Sequence, residues 1–563
     1  MAASQPPARR RRRPRRGSIE RPVDSRLYRG AYLVLVLPLL IGAFSILRPT
    51  ALPAPLLPPA DSKDATYQLV KTLASTYPDR APGTSGAIGA ATWLTNELKS
   101  TGLPVRSDAW SARVPGLGRE QLRNIWAIAP GESSDAIVVM AHRDDTGSGP
   151  GANDNATGTA ELIELAHAYT RPPPGQAAVQ ATHTLVFLST DAGVFGGLGA
   201  LRFAQTSPLR GHVVAVVNLD ALGGAGPPRL EIAGDLPHTP DTALVQTAAQ
   251  RLVEQTGTKP GHPGFFAQLV DLGFPFTLYE QGPFVARGIS AVTLTTSGDR
   301  PAPEFADSIA RLQTKKLAEV GLAAQELLAS LDQGLELTHG TTSYIWVGNR
   351  MITGWAIELV LIALLVPYLV GVVDLFAFCR RRRIALLPAA QALRSRIVFW
   401  LFAGLLFELF RLAGAWPQGA PRPPNPDLPA TDRWPVVALI ALLALVFTTW
   451  LIERRRLRPI APPDPEEQIA GYAVALLGLG MLALLVVATN PFALIFVLPT
   501  LHIWLWLPSL RNRWLPLRLV VFVLGLAGPA IVIASLAWRF GLGLDAPWYL
   551  IELITLGYVT LPP

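Results

Sequence analysis

Three residues of this chain carry side chains of the types that bind metal. His142 stands in Ala141-His142-Arg143-Asp144, and Asp154 follows twelve residues later within Pro150-Gly151-Ala152-Asn153-Asp154-Asn155-Ala156-Thr157-Gly158. Asp220 ends Asn218-Leu219-Asp220. One imidazole and two carboxylates, completed by water, fill a zinc shell. Hard oxygen donors also accept another divalent ion. The same trio reads equally as a hydrogen-bonded network that holds its loops together without metal. His167 and His183 read as surface or helix residues with no part in the chemistry.

The elements around these residues say how they are positioned. Short apolar runs at 136–140, 184–188, 213–219 and 291–295 read as buried strands. Amphipathic stretches at 87–99, 156–169, 242–255 and 315–331 read as helices. Strands alternating with helices imply an α/β fold, a three-layer sandwich with a mostly parallel central sheet. Ligands in such folds gather at the carboxyl ends of the strands. His142, Asp154 and Asp220 fall at or just beyond those ends.

These residues and their order resemble the aminopeptidase Y family of co-catalytic zinc exopeptidases. That family includes bacterial leucine aminopeptidases, glutamate carboxypeptidases and glutaminyl cyclases. The resemblance runs from the helix around Ala65 to the helix ending near Leu331, and includes Arg80-Ala81-Pro82-Gly83 before the 87–99 helix. It implies that His142 and Asp220 ligate a first metal, that Asp154 bridges two, and that Asp144 orients His142. The family's paired glutamates, general base then second-metal ligand, fall on Gly193 and Val194. The flanking Asp191-Ala192 and Gly196 keep the register. The family's last histidine falls near Thr295, and the histidine of a further family loop is replaced by Gln281 in Glu280-Gln281-Gly282-Pro283-Phe284. Asp191, Glu280 and Asp299 are the acids available as substitutes. The resemblance then implies zero or one zinc ion, or two if these positions are misassigned. Loss of a positioned general base removes about 10²- to 10⁴-fold in rate.

The rest of the chain reads as membrane protein. Half of the 563 residues are hydrophobic and 16% are charged. The formal charge of +8 is concentrated in Arg clusters at 9–16, 380–383, 454–458 and 511–518. These lie beside apolar runs, the positive-inside pattern, and not on an aromatic-studded basic surface; nucleic acid is excluded as a partner. Residues 1–26 read as a basic disordered cytoplasmic tail and 27–48 as an uncleaved signal anchor. Residues 59–335 form the exopeptidase-like domain, on the extracytoplasmic side. Residues 351–563 form a helical membrane domain of about six or seven spans, at 352–378, 397–416, 435–452, 469–489, 491–507, 519–538 and 548–561. Threading these alternately puts the last three Arg clusters on one cytoplasmic face. The Ala-, Pro- and Arg-rich composition points to a bacterial plasma membrane. The single cysteine, Cys379, precludes an intrachain disulfide.

Glu358, Asp374, Glu408, Arg411, His502 and Glu552 are the ionisable residues within or near the spans. Three functions follow. One is an exopeptidase-like module with impaired activity that binds a peptide or a protein partner. The second is an active metallo-aminopeptidase with a mononuclear or rearranged site. The third is a transporter-like membrane domain with a regulatory ectodomain.

Overall fold

In a computed structural model the described residues are 22–55, 63–170, 181–298, 306–334, 340–417, 419, 421–426, 435–457, 464–510 and 514–558. The apolar runs become the centre of a seven-stranded sheet. Its strands are β1 (Val105–Val114), β2 (Gly118–Ala129), β3 (Ala136–His142), β4 (Thr184–Thr190), β5 (Val213–Asp220), β6 (Arg229–Glu231) and β7 (Ser290–Thr295). Their spatial order is β1-β2-β4-β3-β5-β7-β6. β4, β3, β5 and β7 run parallel to their neighbours in this group. β1, β2 and β6 add to its two edges in antiparallel fashion.

Both faces of the parallel strands are covered, so alternate side chains enter two different cores. Ile137, Val139 and Ala141 face one core, with Leu185, Phe187, Val217 and Val292. Val138 and Met140 face the other, with Val186, Leu188 and Val216. The first core is closed by α1 (Lys63–Thr76), α2 (Ser85–Ser100), α3 (Gly158–Thr170), α5 (Thr242–Thr256) and α7 (Thr314–Gln333). The second is closed by α4 (Leu198–Thr206) and the short turn Gly282–Val285. Each fully buried Val, Leu, Ile or Phe contributes about 1.5–3 kcal/mol. Thr84 caps α2 and Asp241 caps α5, each accepting first-turn backbone N–H groups. A further helix, α6 (Phe265–Gly273), leads into the 274–280 loop.

The chain divides into two compact units. One comprises the described residues of 44–357, 410–438 and 532–563 and contains the sheet. Within it, Phe276 packs against Leu536, Phe540, Ala546, Tyr549 and Leu553. Ile46–Leu47, Tyr344–Val347 and Arg350–Thr353 form a small separate antiparallel sheet.

The other unit comprises the described residues of 1–43, 358–409 and 439–531. Among all described residues, five helices are long and apolar enough to cross a membrane. They are Ser25–Phe44, Gly354–Arg381, Val436–Arg455, Pro465–Thr489 and Pro491–Leu510. The pair Leu515–Leu524 and Ala527–Arg539, bent by 51°, makes a sixth if counted as one span. Leu387–Leu412, over most of the expected 397–416 span, does not meet that standard. Of the described residues in the expected 548–561 segment, those up to Thr555 belong to the ten-residue helix Ala546–Thr555, and 559–561 lie outside the described residues. The tail before residue 22 and the 511–513 part of the last Arg cluster lie outside the described residues. In this unit His502 is held at both ring nitrogens: Nδ1 is 2.9 Å from the Tyr28 hydroxyl and Nε2 is 3.0 Å from the Leu364 carbonyl. Asp374 accepts the Asp24 N–H and pairs with Arg381. Both residues have structural partners.

Arg80 shows how the site-bearing loop is pinned. Its side chain is fully buried and donates to the carbonyls of Tyr77, Arg143, Pro150 and Gly151. It also lies 3.1 Å from Asp145 Oδ2. Both ends of the 143–151 segment are thereby tied to one cation. Removing one partner of a buried pair strands the other charge. Arg80→Met is expected to lower unfolding free energy by about 3–5 kcal/mol, read from fluorescence-monitored urea titration of the full chain.

Candidate metal centre

Strand register assembles the centre. His142 ends β3 and is paired with Thr190 at the end of β4. Asp220 ends β5 and is paired with Thr295 at the end of β7. Four side chains therefore stand along one carboxyl edge. Asp154 joins them from the turn before α3. Its loop is fixed by Asp307, whose carboxylate accepts the N–H groups of Asn153 and Asp154 at 2.8 Å each. Asn155 ties the same turn to the end of β5, donating to the Leu219 carbonyl and accepting the Ala221 N–H. Ala192 and Ala221, just after β4 and β5, adopt left-handed backbone conformations (φ 55° and 50°). These are costly for residues with a Cβ and recur at functional sites.

His142, Asp154 and Asp220 offer donor atoms that all lie within 4.8 Å of one another. The His142 Nδ1 is 3.1 Å from the Asp144 carbonyl and 3.5 Å from its carboxylate. That contact suits an Nδ1–H donor, which leaves the Nε2 lone pair facing Asp154 and Asp220. Asp154 Oδ1 is buried 3.1 Å from Nε2 and has no further hydrogen-bond partner among the described residues. A buried carboxylate oxygen whose neighbour is an imidazole nitrogen fits a divalent cation. So does the local charge. Burial, followed by the charge of Asp154, pushes the Asp220 carboxyl up to about 8. Burial pushes Glu280 up to about 7. Burial disfavours charged His142, but hydrogen bonds to Asp144 and Asp154 outweigh it and hold the imidazole pKa well above its usual value.

The positions expected to have lost ligands have partners of their own. Gly193 and Val194 donate their N–H groups to the two oxygens of Asp144, at 2.8 and 3.1 Å. A Cβ on Gly193 would overlap the His142 side chain. Thr295 is buried, and its hydroxyl accepts the Ser297 N–H. Asp191 is turned away into an ion pair with Arg143 at 2.6 Å, and accepts the Arg123 and Ala192 N–H groups. Gln281 is buried between Ala233 and Thr293. Glu280 accepts from Thr190 at 3.0 Å through one oxygen, while the other is buried without a hydrogen bond. Asp299 lies outside the described residues. His167 contacts Glu164 and His183 contacts Asp332, both away from the cluster.

The cluster opens into a cleft of about 560 Å³, solvent at its mouth included. His142, Asp154, Gly193, Val194, Asp220 and Glu280 line it, together with Asn425. The sequence motifs did not point to Asp307 or Asn425. Each lies far from them along the chain, and no local pattern marks which distant loop returns to the strand ends.

Residues 124–327 match Peptidase family M28. This segment is a peptidase-like domain. A stretch of 92 residues is 37% identical to "Putative endoplasmic reticulum metallopeptidase 1" of Schizosaccharomyces pombe, covering 16% of this chain and 11% of that protein. A longer stretch of 198 residues is 25% identical to leupeptin-inactivating enzyme 1 of Streptomyces exfoliatus, covering 33% and 43%. The chain thus spans less than half the length of each. Among solved structures, a zinc aminopeptidase of Bacillus subtilis aligns with 14% identity and a TM-score of 0.39, over 48% of this chain and 95% of that one. A glutaminyl cyclase of Porphyromonas gingivalis aligns with 18% identity and a TM-score of 0.37, over 48% and 98%.

Metal and pH are linked here. With no metal bound, Asp220, Glu280 and His142 all hold protons more tightly when folded than when unfolded. Their contribution is therefore greatest at low pH and is lost as pH rises through the folded values. A cation favours the deprotonated ligands and reverses this. The gap in melting temperature between zinc-loaded and chelator-treated protein is expected to widen from pH 5 to pH 8. In His142→Ala it should stay small throughout. A wild-type gap that does not change with pH would contradict the linkage.

Proposed function

We propose that this chain is a membrane-anchored, extracytoplasmic peptidase-like protein with one metal position, which binds peptides or a protein partner and hydrolyses them poorly. The observation that carries this reading is the space at Gly193. The position aligned with the family's general base has no carboxylate, and His142 occupies the room a side chain would need. Nor does the backbone stand ready to receive one, because Asp144 holds the Gly193 and Val194 N–H groups. With Val194 and Thr295 in place of ligands, a second ion lacks its own donors. His142, Asp154 and Asp220 would hold a single ion, which supplies Lewis-acid polarisation of a bound carbonyl. The protein's own contribution is to orient His142 through Asp144, fix Asp154 through Asp307, and present a cleft to an extended chain.

The apolar helices support anchoring. The Arg clusters support a cytoplasmic N-terminus, an outward-facing domain and a bacterial plasma membrane. The partner proposed is a peptide or protein reached from outside the bilayer.

One observation favours a second reading, an active mononuclear hydrolase. Glu280 lines the same cleft and keeps one buried oxygen without a hydrogen bond. A carboxylate so placed is a candidate proton acceptor.

Leucyl peptides and leucyl anilides incubated with zinc-loaded full-length protein distinguish the two. The first reading expects saturable binding, with turnover about 10²- to 10⁴-fold below that of an enzyme with its base. Gly193→Glu is expected to lower thermal stability and restore no activity. Efficient turnover abolished by Glu280→Gln would establish the second reading instead.

A further inference from the structure

The cleft has a wall that is remote in sequence. Residues 421–426 lie in the chain between the helices Leu387–Leu412 and Val436–Leu457, and belong to the same compact unit as the sheet. Arg422 is buried there, only 3% exposed. Its guanidinium makes a two-pronged contact with Asp235, at 2.8 and 2.9 Å. It also donates to the carbonyls of Gly196, Thr277 and Tyr279, at 2.9–3.0 Å. One side chain thus joins the loop carrying Gly193 and Val194 to the loop carrying Glu280.

The receiving surface is cut to fit this strap. A Cβ on Gly197 would overlap the guanidinium, and one on Gly282 would lie 2.8 Å from Nη2. One on Gly196 would lie 3.2 Å from the Pro423 carbonyl. Gly196 and Gly197 also have φ of +94° and +62°, conformations that favour glycine. The Tyr549 hydroxyl also donates to the Pro424 carbonyl at 2.8 Å. Asn425 lines the same cleft as His142, Asp154 and Asp220.

We propose that the 421–426 strap is the outer wall of the peptide cleft, with Arg422 as the positioning residue that locks the Gly196 and Glu280 loops and Asn425 as a specificity residue that hydrogen-bonds the backbone of the bound peptide. The assignment of a peptide to this cleft rests on the function proposed above; the wall itself does not. An amide side chain offers both a donor and an acceptor, the pair an extended peptide presents. Arg422 has its donors committed to Asp235 and three carbonyls, which suits it to hold the wall and not the ligand. A Lys in its place keeps the charge but loses the two-pronged geometry. The segment 59–335 alone has neither residue, so ligand selection in this protein depends on polypeptide that lies between its apolar helices.

The test uses full-length protein in detergent, with two readouts. The first is steric and needs no ligand. Val194→Cys, in a Cys379→Ser background, is labelled with a small methanethiosulfonate and with a polyethylene-glycol maleimide. The strap is expected to admit the small reagent and retard the large one. Arg422→Ala should abolish that discrimination, and Arg422→Lys should restore part of it. Equal discrimination with and without Arg422 would overturn the wall. The second readout is affinity for zinc and for the peptide Leu-Gly-Gly. Asn425→Ala is expected to leave zinc affinity unchanged and weaken the peptide about fivefold, the loss of one hydrogen bond. Unchanged peptide affinity would overturn the role of Asn425. If the wild-type protein binds no peptide, the proposed function and the role of Asn425 both fall, while the labelling still decides the wall.

Discussion

Burial of like charge governs this site. Asp144, Asp154, Asp220 and Glu280 converge on one imidazole at the carboxyl edge of the parallel strands. Desolvation penalises every charged form, and neighbouring carboxylates penalise one another further. Asp144 is relieved by His142 and by two backbone N–H groups. Asp220, raised by burial and by the charge of Asp154, has no such backbone donors. The fold nonetheless holds Asp154 and Asp220 in place through Asp307, Asn155 and the end of β5. A divalent cation would relieve this conflict, because three donors lie close enough to share it.

The same crowding bears on the neighbouring loop, which in the proposed reading lacks donors for a second ion. After β4 the chain folds back onto Asp144, placing Gly193 against the His142 side chain. Asp191, the nearest acid, is used up by Arg143. The loop's later glycines receive Arg422 instead. At this turn the chain has backbone hydrogen bonds to Asp144 and, further along, the inserted guanidinium of Arg422.

The four buried strands and the main helices were legible in the sequence because the core dictates their side chains. An apolar run of five residues with turn residues after it has few alternatives. His142, Asp154 and Asp220 were legible because strand ends in an α/β sheet face one edge. The β1–β2 hairpin was not read, since Val105–Val114 alternates with many polar residues and only its last position is buried. Asp307, Arg422 and Asn425 were invisible for a different reason. Their roles come from tertiary packing across long stretches of chain, and their local surroundings are Pro-rich loop. The collapse of the Gly193 turn was legible only as a substitution; the blocked space belongs to the backbone path.

The number of metal ions bound by the full-length protein tests this account most directly. Zinc-loaded protein, freed of excess metal and measured by elemental analysis and by anomalous X-ray scattering, should hold one ion per chain, located between His142, Asp154 and Asp220. Two ions would mean that the loop around Gly193 and Val194 rearranges to supply ligands. No bound ion would mean that the trio is a hydrogen-bonded remnant.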